Sequence, residues 1–101
     1  SGGNQQKVTI GKWIGSDACV YIFDEPTKGI DVGAKQEVYK LAVSLARAGN
    51  GVIYSSSEQS EILLLTDRTY VMYNGMIQKE FVTSEATEQQ LLLYSTGGSE
   101  E

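Results

Sequence analysis

Hydrophobic and polar positions divide the chain into short segments with strand-like and helix-like patterns. Residues Ala18 to Phe23 form a continuous apolar run, which predicts a buried, parallel strand. Residues Ala34 to Ala48 place apolar side chains three and four positions apart, which predicts a helix that Gly49 ends. A second short strand is predicted over Val52 to Ser55. The predicted inward stripe of the helix consists of Val38, Leu41, Ala42 and Leu45.

Two more helices are predicted, one before the first strand and one after the second. Helical spacing of Val8, Gly11 and Ile14 predicts a helix over Asn4 to Ile14. Residues Ser57 to Leu65 also read as a helix, with Ile62 and Leu65 turned inward.

The last third of the chain predicts a hairpin and a terminal helix. The strands Thr69 to Tyr73 and Met76 to Phe81 flank Asn74-Gly75, a pair that suits a tight type I′ turn. The final helix is predicted over Thr87 to Ser95, where Thr87 and Gln90 have capping-box spacing.

The order strand, helix, strand, helix and hairpin predicts an α/β fold with a mainly parallel sheet flanked by helices. In such sheets chemistry collects at the carboxyl ends of the strands. This directs attention to the residues that follow Phe23 and Ser55.

Composition narrows the function classes. The chain has 101 residues, 41% of them hydrophobic, so one small domain with a core is expected. No apolar run is long enough to cross a bilayer, and a net charge of -5 without a basic stripe disfavours nucleic-acid binding. The absence of histidine and the single Cys19 exclude a Ser/His/Asp or Cys/His triad within this chain and disfavour a structural zinc site.

Two consecutive acids directly follow the apolar strand. Asp24 and Glu25 diverge as successive side chains, so two different tasks are expected of them. The first carboxylate can bind a hard cation such as Mg²⁺, and the second can orient or deprotonate an attacking water. A helix cap or a solvated loop is the alternative for a single acid; two acids followed by Pro26 favour chemistry.

The chain opens on Ser1-Gly2-Gly3, a second candidate site. Glycines let the backbone approach an anion closely, and the serine hydroxyl adds a hydrogen bond. Alone, the tripeptide is also typical of a linker. Because a chain rarely begins on such a loop, we expect a segment excised from a longer protein.

Together these motifs resemble the ATP-binding cassette (ABC) ATPases. Ser1 to Gln6 resembles the signature loop, Asp24-Glu25 the Walker B ending and Gly29-Ile30-Asp31 the D-loop. Asn4 to Val8, Thr27 to Lys35 and Ser56-Ser57-Glu58 are similar to the second nucleotide-binding domain of bacterial monosaccharide importers. The resemblance implies a partial P-loop NTPase fold in which residues 1–101 run from the signature motif to the C-terminus.

The resemblance also implies a role for each site residue. Asp24 is the expected Mg²⁺ ligand, and Glu25 is the expected catalytic residue that polarises water. Ser57 occupies the switch position, where most members of the family have histidine. The remaining expected nucleotide contacts are Ser1, Gly2, Gly3, Gln5 and Asp31.

Two family elements are missing from the chain: the Gly-rich Walker A loop and the glutamine loop, both upstream of residue 1 in the family. ATP and Mg²⁺ are therefore expected only in the full-length protein, and the isolated chain is expected to be inactive.

The implied partners are a second cassette, in the same chain or a homodimer, and integral membrane permease subunits. A periplasmic sugar-binding protein would act indirectly, and no nucleic acid is expected. The implied location is peripheral, on the cytoplasmic face of the inner membrane. Two alternatives stay open: an ABC-type ATPase head that maintains DNA, and an ABC-derived interaction module without catalysis.

Overall fold

A computed structural model describes residues 9–15 and 18–100 of the chain. The chain divides into two compact units, Ser1–Ser57 and Glu58–Glu101. Each unit combines strands with helices, so the predicted α/β class is confirmed. Within the described ranges, no helix is both long and apolar enough to cross a membrane.

The first unit is a three-stranded sheet with one described helix. Strands β1 (Thr9–Gly15), β2 (Ala18–Asp24) and β3 (Gly51–Ser55) lie in that order, and helix α1 (Val32–Arg47) connects β2 to β3. The pair β2 and β3 is parallel, as expected for strands joined through a helix. The pair β1 and β2 is antiparallel, so the sheet is mixed.

Strand β1 corrects the sequence-based prediction of a helix over Asn4 to Ile14. The described part of that range, from Thr9 onwards, is extended and pairs with β2 from Thr9↔Asp24 to Gly15↔Ala18. Gly11 and Gly15 are poor helix formers, and the β-branched Thr9 and Ile10 favour a strand. The rest of the predicted helix, residues 4–8, lies outside the described residues.

The core of the first unit forms around Phe23, which is 0% exposed. Its ring stacks on Tyr54 of β3 with the ring centroids 5.9 Å apart. Ala42 of α1 is also buried, as the predicted stripe requires, whereas Leu41 is 42% exposed, so its prediction as an inward residue was wrong. Leu41 directly precedes Ala42, and consecutive helical residues lie about 100° apart around the axis, which carries Leu41 off the buried face.

The second unit consists of a strand pair and two helices. Helix α2 (Gln59–Leu65) precedes strands β4 (Arg68–Tyr73) and β5 (Met76–Val82), and a single 3₁₀ turn (Thr83–Glu85) leads to helix α3 (Glu88–Ser95). The strands pair antiparallel, with Asn74 and Gly75 between them at φ values of 52° and 75°. The capping box at the start of α3 is confirmed: Gln90 N–H donates to Thr87 Oγ1 and Thr87 N–H donates to Gln90 Oε1.

Apolar side chains and a hydroxyl cluster hold the second unit together. The core consists of Val71, Phe81, Leu91 and Tyr94, with Ile62 and Leu63 of α2 packed against it. Three threonines, Thr66, Thr69 and Thr83, form mutual hydrogen bonds with Oγ1–Oγ1 distances of 3.2, 3.0 and 2.6 Å. These bonds satisfy hydroxyls that would otherwise be costly to bury.

Candidate functional site

The carboxyl ends of β2 and β3 bring Asp24 and Ser55 side by side. Asp24 is the last residue of β2 and Ser55 the last of β3, and the two are register partners in the parallel ladder. Asp24 is exposed at this sheet edge, and the strand that was predicted to end at Phe23 extends by one residue to include it. Because neighbouring parallel strands end at the same edge, residues far apart in the sequence meet there.

Ser55 joins both acids of the predicted pair. Its hydroxyl donates to Asp24 Oδ1 over 2.7 Å. The backbone N–H of Glu25 donates to the Ser55 carbonyl oxygen over 2.9 Å and to Ser55 Oγ over 3.2 Å. The Ser55 hydroxyl is therefore used both as a donor and as an acceptor, and it ties the Asp24 side chain to the Glu25 backbone.

Glu25 leaves the strand through an unusual backbone conformation. Its φ is 48°, in the left-handed region that residues other than glycine seldom adopt. Glu25 is half-buried, and the next two residues, Pro26 and Thr27, are buried. This conformation breaks the alternation of the strand directly after Asp24, so the two carboxylates follow different backbone geometries. Non-glycine residues in this region concentrate at functional sites.

Asp31 has a local structural task in α1. It is the N-cap, and its Oδ1 accepts a hydrogen bond from Ala34 N–H over 2.8 Å. Such a cap satisfies one of the free N–H groups at the start of a helix. The predicted contact of Asp31 with nucleotide or with an opposite subunit stays a prediction.

Ser57 lies in an exposed bend beyond β3. None of the hydrogen bonds that the described residues make to Asp24 or Glu25 comes from Ser57 or Asp31. The structure therefore joins Asp24, Glu25 and Ser55, and it does not join Ser57 or Asp31 to them. The remaining candidates, Ser1, Gly2, Gly3 and Gln5, lie outside the described residues.

Ser55 is the residue that sequence reasoning missed. The predicted order of elements directed attention to the residues after β3 rather than to the residue that ends it. A signal was present, because the parallel pairing of two strands that both end in a polar residue places those residues next to each other. The register that makes them partners could not be read from either strand alone.

The donor set of the site fits Mg²⁺ only as part of a larger coordination shell. Among the described residues there is no group of three or more His, Cys, Asp or Glu side chains that could hold a metal ion. Asp24 supplies a hard carboxylate oxygen, and Mg²⁺ is commonly held by one or two carboxylates together with substrate phosphates and water. Asp24 and Glu25 thus fit a cation that is also bound by a phosphate ligand, and not one that is bound by protein side chains alone.

Comparison with known proteins gives a consistent set of relatives. The chain is 50% identical over 99 residues to a ribose import ATP-binding protein of Oceanobacillus iheyensis. The matched region covers 98% of this chain and 20% of that protein. It is 48% identical over 98 residues to a xylose import ATP-binding protein of Geobacillus kaustophilus, covering 97% of this chain and 19% of that protein. It is 51% identical over 96 residues to an L-arabinose transport ATP-binding protein of Geobacillus stearothermophilus, with 95% and 19% covered.

These matches cover nearly all of this chain but only a small part of each relative. The chain spans about one fifth of the length of the curated relatives it matches. No protein-family model matches the chain. No solved structure matches it either.

Proposed function

We propose, from the premise that this chain belongs to the sugar-import ATP-binding proteins of the ABC type, that it forms part of an ATPase that drives monosaccharide uptake. The observation that carries the proposal is the identity of about half of all positions, along nearly the whole chain, to import proteins for three different pentoses. The acids at the end of β2 supply the chemistry that such an ATPase requires.

In this mechanism Asp24 would hold the Mg²⁺ that accompanies ATP. When bound, Mg²⁺ neutralises charge on the phosphate oxygens as the terminal phosphoryl group is transferred. The Asp24 carboxylate is exposed at the sheet edge, and its Oδ1 is already fixed by Ser55 over 2.7 Å. A fixed carboxylate limits the geometries in which the cation can bind.

Glu25 orients the attacking water and accepts its proton. The left-handed backbone at Glu25, with φ of 48°, places this residue outside the strand geometry that holds Asp24, so one acid can serve the cation and the other the water. Ser57 follows β3 in an exposed bend and supplies a neutral hydroxyl for the terminal phosphate. A hydroxyl is a weaker partner for a phosphate than a charged group.

Ser1, Gly2, Gly3 and Gln5 form the signature loop and contact the γ-phosphate of a nucleotide held by an opposing cassette. Asp31 touches that cassette from the start of α1. Residues 1–101 belong to the C-terminal part of a nucleotide-binding domain. Its partners are a second cassette and the integral permease subunits on the cytoplasmic side of the membrane, and the sugar-binding protein acts through the permease.

The isolated chain of 101 residues neither binds nor hydrolyses ATP, because its sequence has no Gly-rich loop ending in Gly-Lys-Ser/Thr. Isothermal titration of the chain with Mg-ATP measures the binding directly. The expected result is no saturable heat; saturable, Mg²⁺-dependent binding would contradict the proposed division of the site.

Uptake of labelled monosaccharides tests the transport function. Cells that lack the gene for the complete protein are expected to lose uptake of at least one of ribose, xylose, arabinose or galactose. The complete protein restores uptake, and the Glu25→Gln variant does not. Glu37→Gln is a matched control, since Glu37 is an exposed acid on α1 that forms an ion pair with Lys40 in the same helix. Unchanged uptake of all four sugars in the deletion strain would reject a role in their import, and ATPase activity stimulated by DNA would favour the DNA-maintenance class.

A further inference from the structure

We infer that Ser55 is a positioning residue for the Asp24–Glu25 pair, an assignment that rests on the proposed function. Its hydroxyl holds the Asp24 carboxylate in one orientation for the cation and braces the Glu25 backbone for its contact with water. The two bonds that carry this inference are Ser55 Oγ to Asp24 Oδ1 at 2.7 Å and Glu25 N to Ser55 Oγ at 3.2 Å.

The hydroxyl is the only part of Ser55 that can make both bonds. A hydroxyl has one donor hydrogen and accepting lone pairs, and here the hydrogen points to the carboxylate while the oxygen receives the amide. A hydrogen bond to an ionised carboxylate is stronger than one between neutral groups. Ser55 therefore restricts the rotation of an exposed side chain that would otherwise sample several staggered orientations.

The bond to Oδ1 restrains the orientation of the Asp24 carboxylate that would bind the cation. Mg²⁺ requires nearly ideal octahedral geometry, so a carboxylate that presents one oxygen in a fixed direction is favourable. Groups that orient a metal ligand commonly change metal affinity or activity about 10- to 100-fold when they are removed.

The backbone bonds of Ser55 have a separate role from its hydroxyl. Glu25 N–H also donates to the Ser55 carbonyl over 2.9 Å, a bond that continues the parallel ladder and does not depend on the side chain. Removing only the hydroxyl should therefore leave the strand pair intact, while Asp24 loses the bond to its carboxylate and Glu25 loses one of the two bonds of its N–H. A purely structural serine at this strand end would give no specific effect on the cation.

The test is the matched pair Ser55→Thr and Ser55→Val in the complete protein. Threonine and valine have nearly the same shape and both favour strands, so the pair isolates the hydroxyl. Ser55→Val is expected to raise the Mg²⁺ concentration for half-maximal ATP hydrolysis about 10-fold, and Ser55→Thr is expected to stay within about twofold of the original protein. Ser44→Ala is the control for loss of a serine hydroxyl elsewhere, because Ser44 Oγ donates only to Leu41 O in α1.

Two further measurements do not depend on turnover. Mn²⁺ binding in the presence of a non-hydrolysable ATP analogue, followed by electron paramagnetic resonance, should weaken in Ser55→Val and not in Ser55→Thr. In the 101-residue chain, the amide resonance of Glu25 in a ¹H–¹⁵N spectrum should move in Ser55→Val, while the resonances of α1 stay in place.

The outcomes separate this inference from the proposed function. Equal Mg²⁺ dependence in Ser55→Thr and Ser55→Val, with Asp24→Asn strongly impaired, would overturn the role of Ser55 and leave the function standing. Equal impairment of both Ser55 variants would assign the effect to side-chain bulk and would also overturn it. If Asp24→Asn changes neither Mn²⁺ binding nor hydrolysis, the proposed function fails, and the assignment of Ser55 fails with it.

Discussion

The left-handed backbone at Glu25 predicts that a glycine there makes the fold more stable than an alanine does. Both Glu25→Gly and Glu25→Ala remove the carboxylate, so their difference reports on the β-carbon alone. At φ of 48° a β-carbon costs about 1–2 kcal/mol, whereas glycine loses about 0.5–1 kcal/mol more chain entropy on folding. The glycine variant should therefore be more stable by about 0.5–1 kcal/mol, which corresponds to a Tm higher by about 2–8 °C for a domain of this size.

Thermal and urea unfolding followed by circular dichroism measure this difference. The matched control is the pair Glu37→Gly and Glu37→Ala in the interior of α1, where Glu37 is exposed. The order must reverse there, since glycine in a helix is less stable than alanine by about 1 kcal/mol. If alanine is as stable as glycine at position 25 while the order at position 37 is normal, the reasoning about backbone strain is wrong.

Variants at three other positions test the packing within each unit and the cap of α1. Phe23→Ala should lower the free energy of unfolding by about 3–5 kcal/mol because the ring is 0% exposed, and Phe23→Leu should cost clearly less; equal urea midpoints for the two would contradict a tightly packed core. Asp31→Ala should cost about 1 kcal/mol and speed amide exchange at the start of α1, whereas Asp31→Asn keeps the cap; identical exchange in both would argue against capping. Thr83→Val should destabilise the second unit by about 1 kcal/mol, since it leaves the hydroxyls of Thr66 and Thr69 with one partner fewer, and an unchanged urea midpoint would show that the hydroxyl cluster contributes nothing.

The elements that local patterns could predict are those whose burial follows directly from the chain. Strand β2 is a continuous apolar run, and Ala42 is buried on the stripe predicted for α1. The capping box at Thr87 involves residues only three positions apart, so its spacing in the sequence was sufficient.

Strand β1 shows where local patterns were insufficient. Apolar spacing around Gly11 and Ile14 suggested a helix, but the strand edge of β2 gives this segment a full set of antiparallel partners. Whether a segment with glycines and β-branched residues becomes a helix or a strand is decided by the partner it finds, and that partner is not visible in its own sequence.

The candidate site divides in the same way. Asp24 and Glu25 were predicted at a strand end because they directly follow an apolar run. Ser55 lies 31 positions from Asp24, and only the parallel register brings its hydroxyl to the carboxylate. Asp31 was assigned only to a nucleotide-contacting loop, although an Asp directly before a helix is typical of an N-cap.

The measurement that tests the central claim most directly is ATP binding and hydrolysis by the complete protein and its Glu25→Gln variant. Glutamine keeps the size of the side chain and removes its ability to accept a proton. The account predicts that the variant binds ATP about as tightly as the original protein and hydrolyses it about 10²- to 10⁴-fold more slowly. Hydrolysis by Glu25→Gln at the original rate would contradict the claim that the acids at the end of β2 carry the chemistry.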